Sequence, residues 1–258
     1  MAERTEYTPG TPNWVDLQTT DQAGAKKFYG ELLGWSYNDL PVGDNAVYSM
    51  ATLKGRDVGA IAGLDGQPGV PPHWNSYVSV SDVDATTSLV EPAGGTVLMQ
   101  PFDVMDAGRM SVIQDPTGAV INLWQAKNHP GAGIVNETGA WSWNELMTAD
   151  IPKAAAFYKK VLGWEARTSD GGGGMAYTEW VLDGRTIGGG MNPPMPGIPS
   201  NWGIYFSVAD CDASVAKAQE MGATVFAPPM DIPVGRFSAL ADPQGAMFSL
   251  IRFTEPAD

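Results

Sequence analysis

Cysteine and histidine are almost absent from this chain, and their scarcity removes whole classes of chemistry. Of 258 residues one is cysteine, Cys211, and two are histidine, His73 and His129. A single thiol forms no intrachain disulfide and no Cys-x-x-Cys site. Two histidines cannot build a three-histidine zinc centre. Cys211 lies in an Asp210-Cys211-Asp212 step, where two carboxylates raise a thiol pKa instead of lowering it, so it reads as structural and not as a nucleophile. Long apolar runs are missing too, so no helix is expected to cross a membrane. The opening Met1-Ala2-Glu3-Arg4-Thr5-Glu6 is polar and has no apolar signal core, and a cytoplasmic location is the expectation. Basic residues are few: 15 Lys and Arg against 29 Asp and Glu give a net charge of −14. That balance, with no basic run, sets the chain against phosphate backbones and anionic lipid. No nucleic-acid and no membrane partner is expected, and the acidity reads as a source of solubility. What remains is a composition of 43% hydrophobic, 10% aromatic and 17% charged residues, enough for a sizeable core in one large or two small domains.

Internal similarity is the strongest positive signal. Trp14-Val15-Asp16-Leu17-Gln18-Thr19-Thr20-Asp21 returns 129 positions later as Trp143-Asn144-Glu145-Leu146-Met147-Thr148-Ala149-Asp150. Phe28-Tyr29, Gly34-Trp35, Tyr48 and Gly55-Arg56 return at the same offset as Phe157-Tyr158, Gly163-Trp164, Tyr177 and Gly184-Arg185. Trp74 and Asp82 match Trp202 and Asp210, and Gly108-Arg109 and Asp115-Pro116 match Gly235-Arg236 and Asp242-Pro243, with a total drift of two residues. A unit this long, present twice, means two homologous domains and not a solenoid. Residues 1–126 form the first and 141–258 the second. Residues 127–140, rich in Asn, Pro and Gly, read as a linker. The run Gly171 to Gly174 reads as a flexible surface turn; no Lys-Ser/Thr follows it to make a phosphate loop.

Periodicity places the elements within each unit. Asn13 to Gln18 alternates as a strand, with Val15 and Leu17 on one face and Trp14, Asp16 and Gln18 on the other. Asp21 stands at a helix N-cap, Ala25, Phe28, Tyr29, Leu32 and Leu33 line one helix face, and Gly34 closes it. Strands follow around Val47–Leu53 and Val58–Ala62. The pattern restarts with a strand at Ser76–Val80, a cap at Asp82, a helix through about Glu91, and strands at Met110–Ile113 and Val120–Trp124 joined by the turn Asp115-Pro116-Thr117-Gly118. Each domain is thus two βαβββ modules, an α+β architecture with four modules in the chain.

These residues resemble the vicinal oxygen chelate superfamily, which includes glyoxalase I, extradiol dioxygenases and bleomycin-resistance proteins. The resemblance rests on the Leu-x-Thr-x-Asp strand start, the Phe-Tyr helix ending in Leu-Gly-Trp, the Val-x-Asp-x-Asp step and the late Asp-Pro-x-Gly turn, and it covers nearly the whole chain twice. It implies modules whose strands curl into a half-open barrel around a ligand or a metal. Metal-dependent members place His, Gln or Glu at four strand positions. The first, seven residues before the capping aspartate, is Trp14 here and Trp143 in the second domain. The next falls near Ala60 and Gly189, the third at Asn75 and Gly203, and the fourth, four residues past the turn glycine, at Asn122 and Ser249. None of these is a good divalent-metal ligand, so no metal and no other cofactor is expected, and glyoxalase I or dioxygenase chemistry would need atypical ligands.

By strand parity, Trp14, Asp16, Gln18, Asn75, Tyr77, Asn122 and Trp124 face one barrel interior. Trp143, Glu145, Met147, Tyr205, Ser249 and Ile251 face the other. Aromatic walls with a few polar groups suit a flat, apolar or aromatic small molecule; tryptophans that simply fill a small barrel are the alternative. Asp16 and Glu145 stand at equivalent points, where a carboxylate is costly unless paired. They pair with Arg109 or Arg236 or with backbone N–H groups, or they act as base or hydrogen-bond acceptor toward a ligand. Glu179 is a candidate second carboxylate in domain two, or else an exposed residue outside the site. Arg109 and Arg236 are candidates to clamp a ligand anion, or else they pair with Asp115 or Asp242 or stand at a barrel rim. Two functions follow: a metal-free binding protein that sequesters an aromatic molecule, as bleomycin-resistance proteins do, or a metal-independent lyase or isomerase on a small carbonyl or polyketide-like substrate with Asp16 or Glu145 as base. The two domains are expected to pack together within the chain.

Overall fold

The computed structural model describes residues 4–43, 46–64, 69–170 and 176–254, and within them the repeat becomes two open eight-stranded sheets. The run Gly171 to Gly174 and the first three residues lie outside the described residues. The first sheet is built from β1 (Pro12–Thr19), β2 (Ser36–Pro41), β3 (Val47–Leu53), β4 (Arg56–Gly63), β5 (His73–Ser79), β6 (Thr96–Val104), β7 (Gly108–Gln114) and β8 (Val120–Ala126), with α1 (Gln22–Leu33) after β1 and α2 (Val83–Ser88) after β5. The second repeats it with β9 (Trp141–Met147), α3 (Ile151–Leu162), β10 (Glu165–Asp170), β11 (Ala176–Leu182), β12 (Arg185–Met191), β13 (Asn201–Ser207), α4 (Cys211–Glu220), β14 (Thr224–Ile232), β15 (Gly235–Ala241) and β16 (Met247–Phe253). Asp21, Asp82, Asp150 and Asp210 each accept a backbone N–H of the first helical turn, and Gly34 and Gly163 end their helices at φ 79 and 76. The second helix of the first domain stops at Ser88, short of the expected Glu91; a 3-10 turn at Glu91–Ala93 follows it.

Strand order is β2-β3-β4-β1-β5-β8-β7-β6 in the first sheet and β10-β11-β12-β9-β13-β16-β15-β14 in the second. The two modules of each domain therefore join where β1 meets β5 and β9 meets β13, antiparallel. The end strands do not pair with each other, so each sheet is a trough and not a closed barrel. Val15 and Leu17 are fully buried on the helix-covered face, while Trp14, Asp16 and Gln18 line the trough.

The helix-covered faces of the two sheets meet, and the family-like motifs prove to be the joint. The Tyr29 hydroxyl of α1 donates to Asp242 Oδ2 in the other domain at 3.1 Å, and the Tyr158 hydroxyl of α3 donates back to Asp115 Oδ2 at 2.9 Å. Trp74 and Trp202 donate their indole N–H groups to those same two hydroxyls. Trp35 donates to the Gly139 carbonyl and Trp164 to the Gly10 carbonyl. Asn144 donates to Ser76 Oγ at the centre. Asp115 and Asp242 also gather the backbone N–H groups of their own turns. Each partner completes polar groups that would otherwise be buried unmet. Residues 127–140 run as a pinned strap: Ala132 N–H donates to the Asn13 carbonyl, the Asn13 amide to the Pro130 carbonyl, and Gly139 N–H to the Ser207 carbonyl. Cys211 is buried at the start of α4, and burial pushes its thiol up to about 11, the behaviour of a packing residue.

Candidate functional site

The register of the central strands brings one carboxylate and two phenols together in each trough. In the first, β1 pairs Asp16 with Ala60 of β4 and with Asn75 of β5. Asp16 is 2% exposed. Its Oδ2 accepts from the Tyr77 hydroxyl at 2.7 Å and the Tyr48 hydroxyl at 2.9 Å, and its Oδ1 accepts from the Asn75 amide at 2.9 Å. Trp14 donates its indole N–H to the Tyr48 oxygen at 2.9 Å. Asn122, opposite Tyr77 on β8, bonds the Tyr77 oxygen. Trp124 stands edge-on to Tyr77. Gln18 sits further along β1 beside His73, whose Nδ1 donates to the Pro71 carbonyl.

The second trough repeats the arrangement with a longer acid. Glu145 pairs with Gly189 and Gly203. Its Oε1 accepts from the Tyr205 hydroxyl at 2.7 Å and its Oε2 from the Tyr177 hydroxyl at 2.9 Å. Trp143 donates to the Tyr177 oxygen at 3.1 Å, and Ser249 bonds the Tyr205 oxygen from β16. Gly189 is required here: a Cβ at that position would lie 2.0 Å from Tyr177 Oη and 2.9 Å from Trp143 Nε1. Met147 continues the same face of β9 beyond Glu145.

Among the described residues no cation touches either carboxylate; neutral donors hold both. Burial raises the pKa of Asp16 and of Glu145; the bonds from Asn75 and the tyrosines at Asp16, and from the tyrosines at Glu145, counter only part of that rise. Burial first, and then the adjacent acid, push the Tyr48, Tyr77 and Tyr205 hydroxyls well above the usual phenol range, so they stay donors. The folded chain thus holds a proton on Glu145 more tightly than the unfolded chain does. Its contribution to stability is complete below the ordinary glutamate pKa of about 4.3 and is lost as pH rises through the raised folded value. Glu145→Gln removes this titration. The melting temperature of the variant relative to wild type is expected to climb with pH above about 4.3, by roughly 2–4 °C for each kcal/mol by which burial disfavours the charge, and then to level off. A difference independent of pH, measured by thermal denaturation from acid to neutral, would remove burial as the cause.

The donor set does not fit a divalent metal. Trp14, Ala60, Asn75 and Asn122 surround Asp16, and Trp143, Gly189, Gly203 and Ser249 surround Glu145. The lone carboxylate of each trough already accepts two or three hydrogen bonds. Among the described residues no group of three His, Cys, Asp or Glu is placed to hold a metal ion.

One expectation from the sequence, that of the two arginines, is corrected, and Glu179 takes the exposed one of its two readings. Arg109 and Arg236 do not enter the troughs. Met110 pairs with Trp124, and Phe237 with Ile251, on the trough face, so the preceding arginines point to the other face. There Arg109 grips Asp84 through Nε and Nη2 at 2.7 and 2.9 Å, and Arg236 grips Asp212 and Asp231. They pair neither with Asp16 or Glu145 nor with Asp115 or Asp242. Glu179 shares the trough face but is separated from Glu145 by Gly189, lies at the rim with its side chain 36% exposed, and faces Arg167. Three groups of the site were missed. Tyr48 and Tyr177 repeat at the offset of the carboxylates, a signal that marked them as equivalent without showing what they touch. His129, counted in the linker, packs edge-on against Trp14 with ring centres 4.5 Å apart.

The family model described as Glyoxalase/Bleomycin resistance protein/Dioxygenase superfamily matches residues 11–123 and again 141–250. A "Putative glyoxylase CFP32" of Mycobacterium tuberculosis (strain CDC 1551 / Oshkosh) is 54% identical over 256 residues, covering 98% of each chain. The "Anthracycline biosynthesis protein DauV" of Streptomyces sp. (strain C5) is 36% identical, covering 97% of this chain and 96% of that one. Among solved structures, a Mn(II)-bound glyoxalase from Novosphingobium aromaticivorans aligns at TM-score 0.65 and 16% identity, over 97% of this chain and 84% of its own. The 2,3-dioxygenase LapB from Pseudomonas sp. KL28 aligns at 0.63 and 15%, over 99% and 94%. At these identities the two structures share the fold alone.

Proposed function

We propose, on the premise that this chain belongs to the Glyoxalase/Bleomycin resistance protein/Dioxygenase superfamily, that it binds a small, flat, aromatic or apolar molecule without a metal and sequesters it. The observation that carries this reading is the repeated centre of one buried carboxylate held by two tyrosine hydroxyls beside a tryptophan. Such a centre offers the hydroxyl of a ligand a carboxylate acceptor with lone pairs to spare, while the indole face supplies apolar contact. The relatives named for anthracycline biosynthesis make a polycyclic aromatic the first ligand to try. The partner under this reading is that small molecule alone.

A second reading keeps the same residues and adds turnover: a metal-independent lyase or isomerase acting on a small carbonyl or polyketide-like substrate. The raised pKa of Asp16 and Glu145 favours it, because a general base works best with a pKa near the operating pH. The double variant Asp16→Asn with Glu145→Gln separates the two. Under sequestration, titration of an anthracycline by tryptophan quenching is expected to give affinity within about tenfold of wild type, with no product formed by either protein. Product formed by wild type and abolished in the double variant, with binding intact, establishes the enzyme instead. Loss of saturable quenching in wild type itself removes both readings for that ligand class.

A further inference from the structure

The two troughs share a centre and differ in what fills them. In the first, the strap after β8 crosses the opening. The His129 ring stands edge-on against Trp14 at 4.5 Å and against Trp124 at 6.0 Å. Trp124 donates its indole N–H to the His129 carbonyl at 2.9 Å, and His129 N–H donates to the Ala107 carbonyl at 3.0 Å. Trp14 is 3%, Tyr77 8% and Asn122 3% exposed. Trp14, Tyr77 and Trp124 belong to the continuous apolar core, with Val104, Ala107 and Met110 packed against it. Burial lowers the His129 pKa, and its Nε2 is buried without a hydrogen-bond partner. The imidazole serves there as a neutral planar filler.

Among the described residues the equivalent groups of the second trough are less covered. Trp143, Tyr205 and Ser249 are partly exposed where Trp14, Tyr77 and Asn122 are buried. Trp143, Tyr205 and Phe237 stand outside both apolar core clusters. Strand register puts Met230 and Met247 on the same face as Phe237 and Ser249, and they are 41% and 47% exposed. Contiguous apolar surface beside fixed polar groups marks a binding site. Residues 255–258, at the matching end of the second repeat, lie outside the described residues.

Resting on the binding reading above, we infer that the second trough is the ligand site and the first a stoppered copy. His129 occupies in the first trough the kind of place that a planar ring takes in the second. The chain then binds one flat aromatic molecule, seated against Trp143 and Phe237, with a ligand hydroxyl donating to Glu145 beside Tyr205.

The test is equilibrium dialysis of the full chain against 1,4-dihydroxyanthraquinone. One equivalent per chain is expected, with affinity weakened about tenfold by Tyr205→Phe. Phe237→Ala, on the neighbouring strand, is expected to weaken it similarly, which keeps the test sound if either variant folds poorly. Two equivalents per chain overturn the inference and leave the binding reading standing. So does one equivalent that weakens with Tyr77→Phe and ignores both Tyr205→Phe and Phe237→Ala. No saturable binding removes the binding reading for this class and the inference with it.

Discussion

Tyr29→Ala is expected to lower the melting temperature of the entire chain by roughly 10 °C or more, in one transition. The ring is fully buried, stacked 5.7 Å from Trp35 and edge-on to Phe248 of the other domain at 5.5 Å. Deleting a buried aromatic side chain costs about 3–5 kcal/mol. The hydroxyl is also shared: it donates to Asp242 and accepts from Trp74. Its loss leaves a buried acid with one donor fewer and an indole N–H with no acceptor, a further ~1–3 kcal/mol. Tyr29→Phe isolates that second share. The bonds cross between domains in both directions, through Tyr29 to Asp242 and Tyr158 to Asp115, so the two halves are expected to unfold together. Scanning calorimetry decides the matter. Two separate transitions, with only the first-domain one displaced by Tyr29→Ala, would show that the halves are stable independently and that the joint is weak.

Gly189→Val is expected to weaken binding of a polycyclic aromatic by more than about tenfold, a loss of about 1.4 kcal/mol, and also to lower the melting temperature by several degrees, since overpacking a buried strand and taking a donor from Glu145 each cost about 1–3 kcal/mol. A Cβ at Gly189 meets Tyr177 Oη at 2.0 Å and Tyr177 Cζ at 2.7 Å, so the phenol must leave Glu145. Trp143, at 2.9 Å from the same Cβ, moves with it. Tyr177 and Trp143 stand outside the core clusters, so the folded chain is expected to survive the displacement and its affinity to be measurable. The comparison is a fluorescence titration beside a thermal melt. An unchanged affinity would mean that the Glu145 centre does not touch the ligand.

How much of this was legible beforehand follows from which contacts are local. Alternation in Asn13 to Gln18, the capping Asp21 and the closing Gly34 depend on neighbours in the chain, and the structure has them where the sequence puts them. The edge strands β2, β6, β10 and β14 escaped because an exposed strand carries no clean alternation, and Pro101, Pro228 and Pro229 interrupt the pattern further. Asp16 and Glu145 stood out because a carboxylate in an otherwise apolar strand face needs an explanation. Asn75, Tyr77 and Tyr205 were placed in the same interiors by parity; Tyr48 and Tyr177 were not, since they reach the carboxylates from two strands away and only register reveals that. Arg109 and Arg236 were attractive by type; a parity set by Met110 and Phe237 turns them outward to Asp84 and Asp212. The Phe-Tyr and Asp-Pro-x-Gly motifs marked the family, but their job as an interdomain joint depends on partners in the other repeat. His129 was hidden because a linker reading assigns no place to its side chains.

The central claim is metal-independent binding of a flat aromatic molecule. Its most direct test is elemental analysis of protein purified without an affinity tag, combined with tryptophan-quenching titrations against polycyclic aromatics before and after exhaustive chelation. The account predicts substoichiometric metal and saturable quenching with the same affinity in both preparations. Stoichiometric zinc, nickel, iron or manganese, with binding that disappears on chelation and returns with the metal, would contradict it.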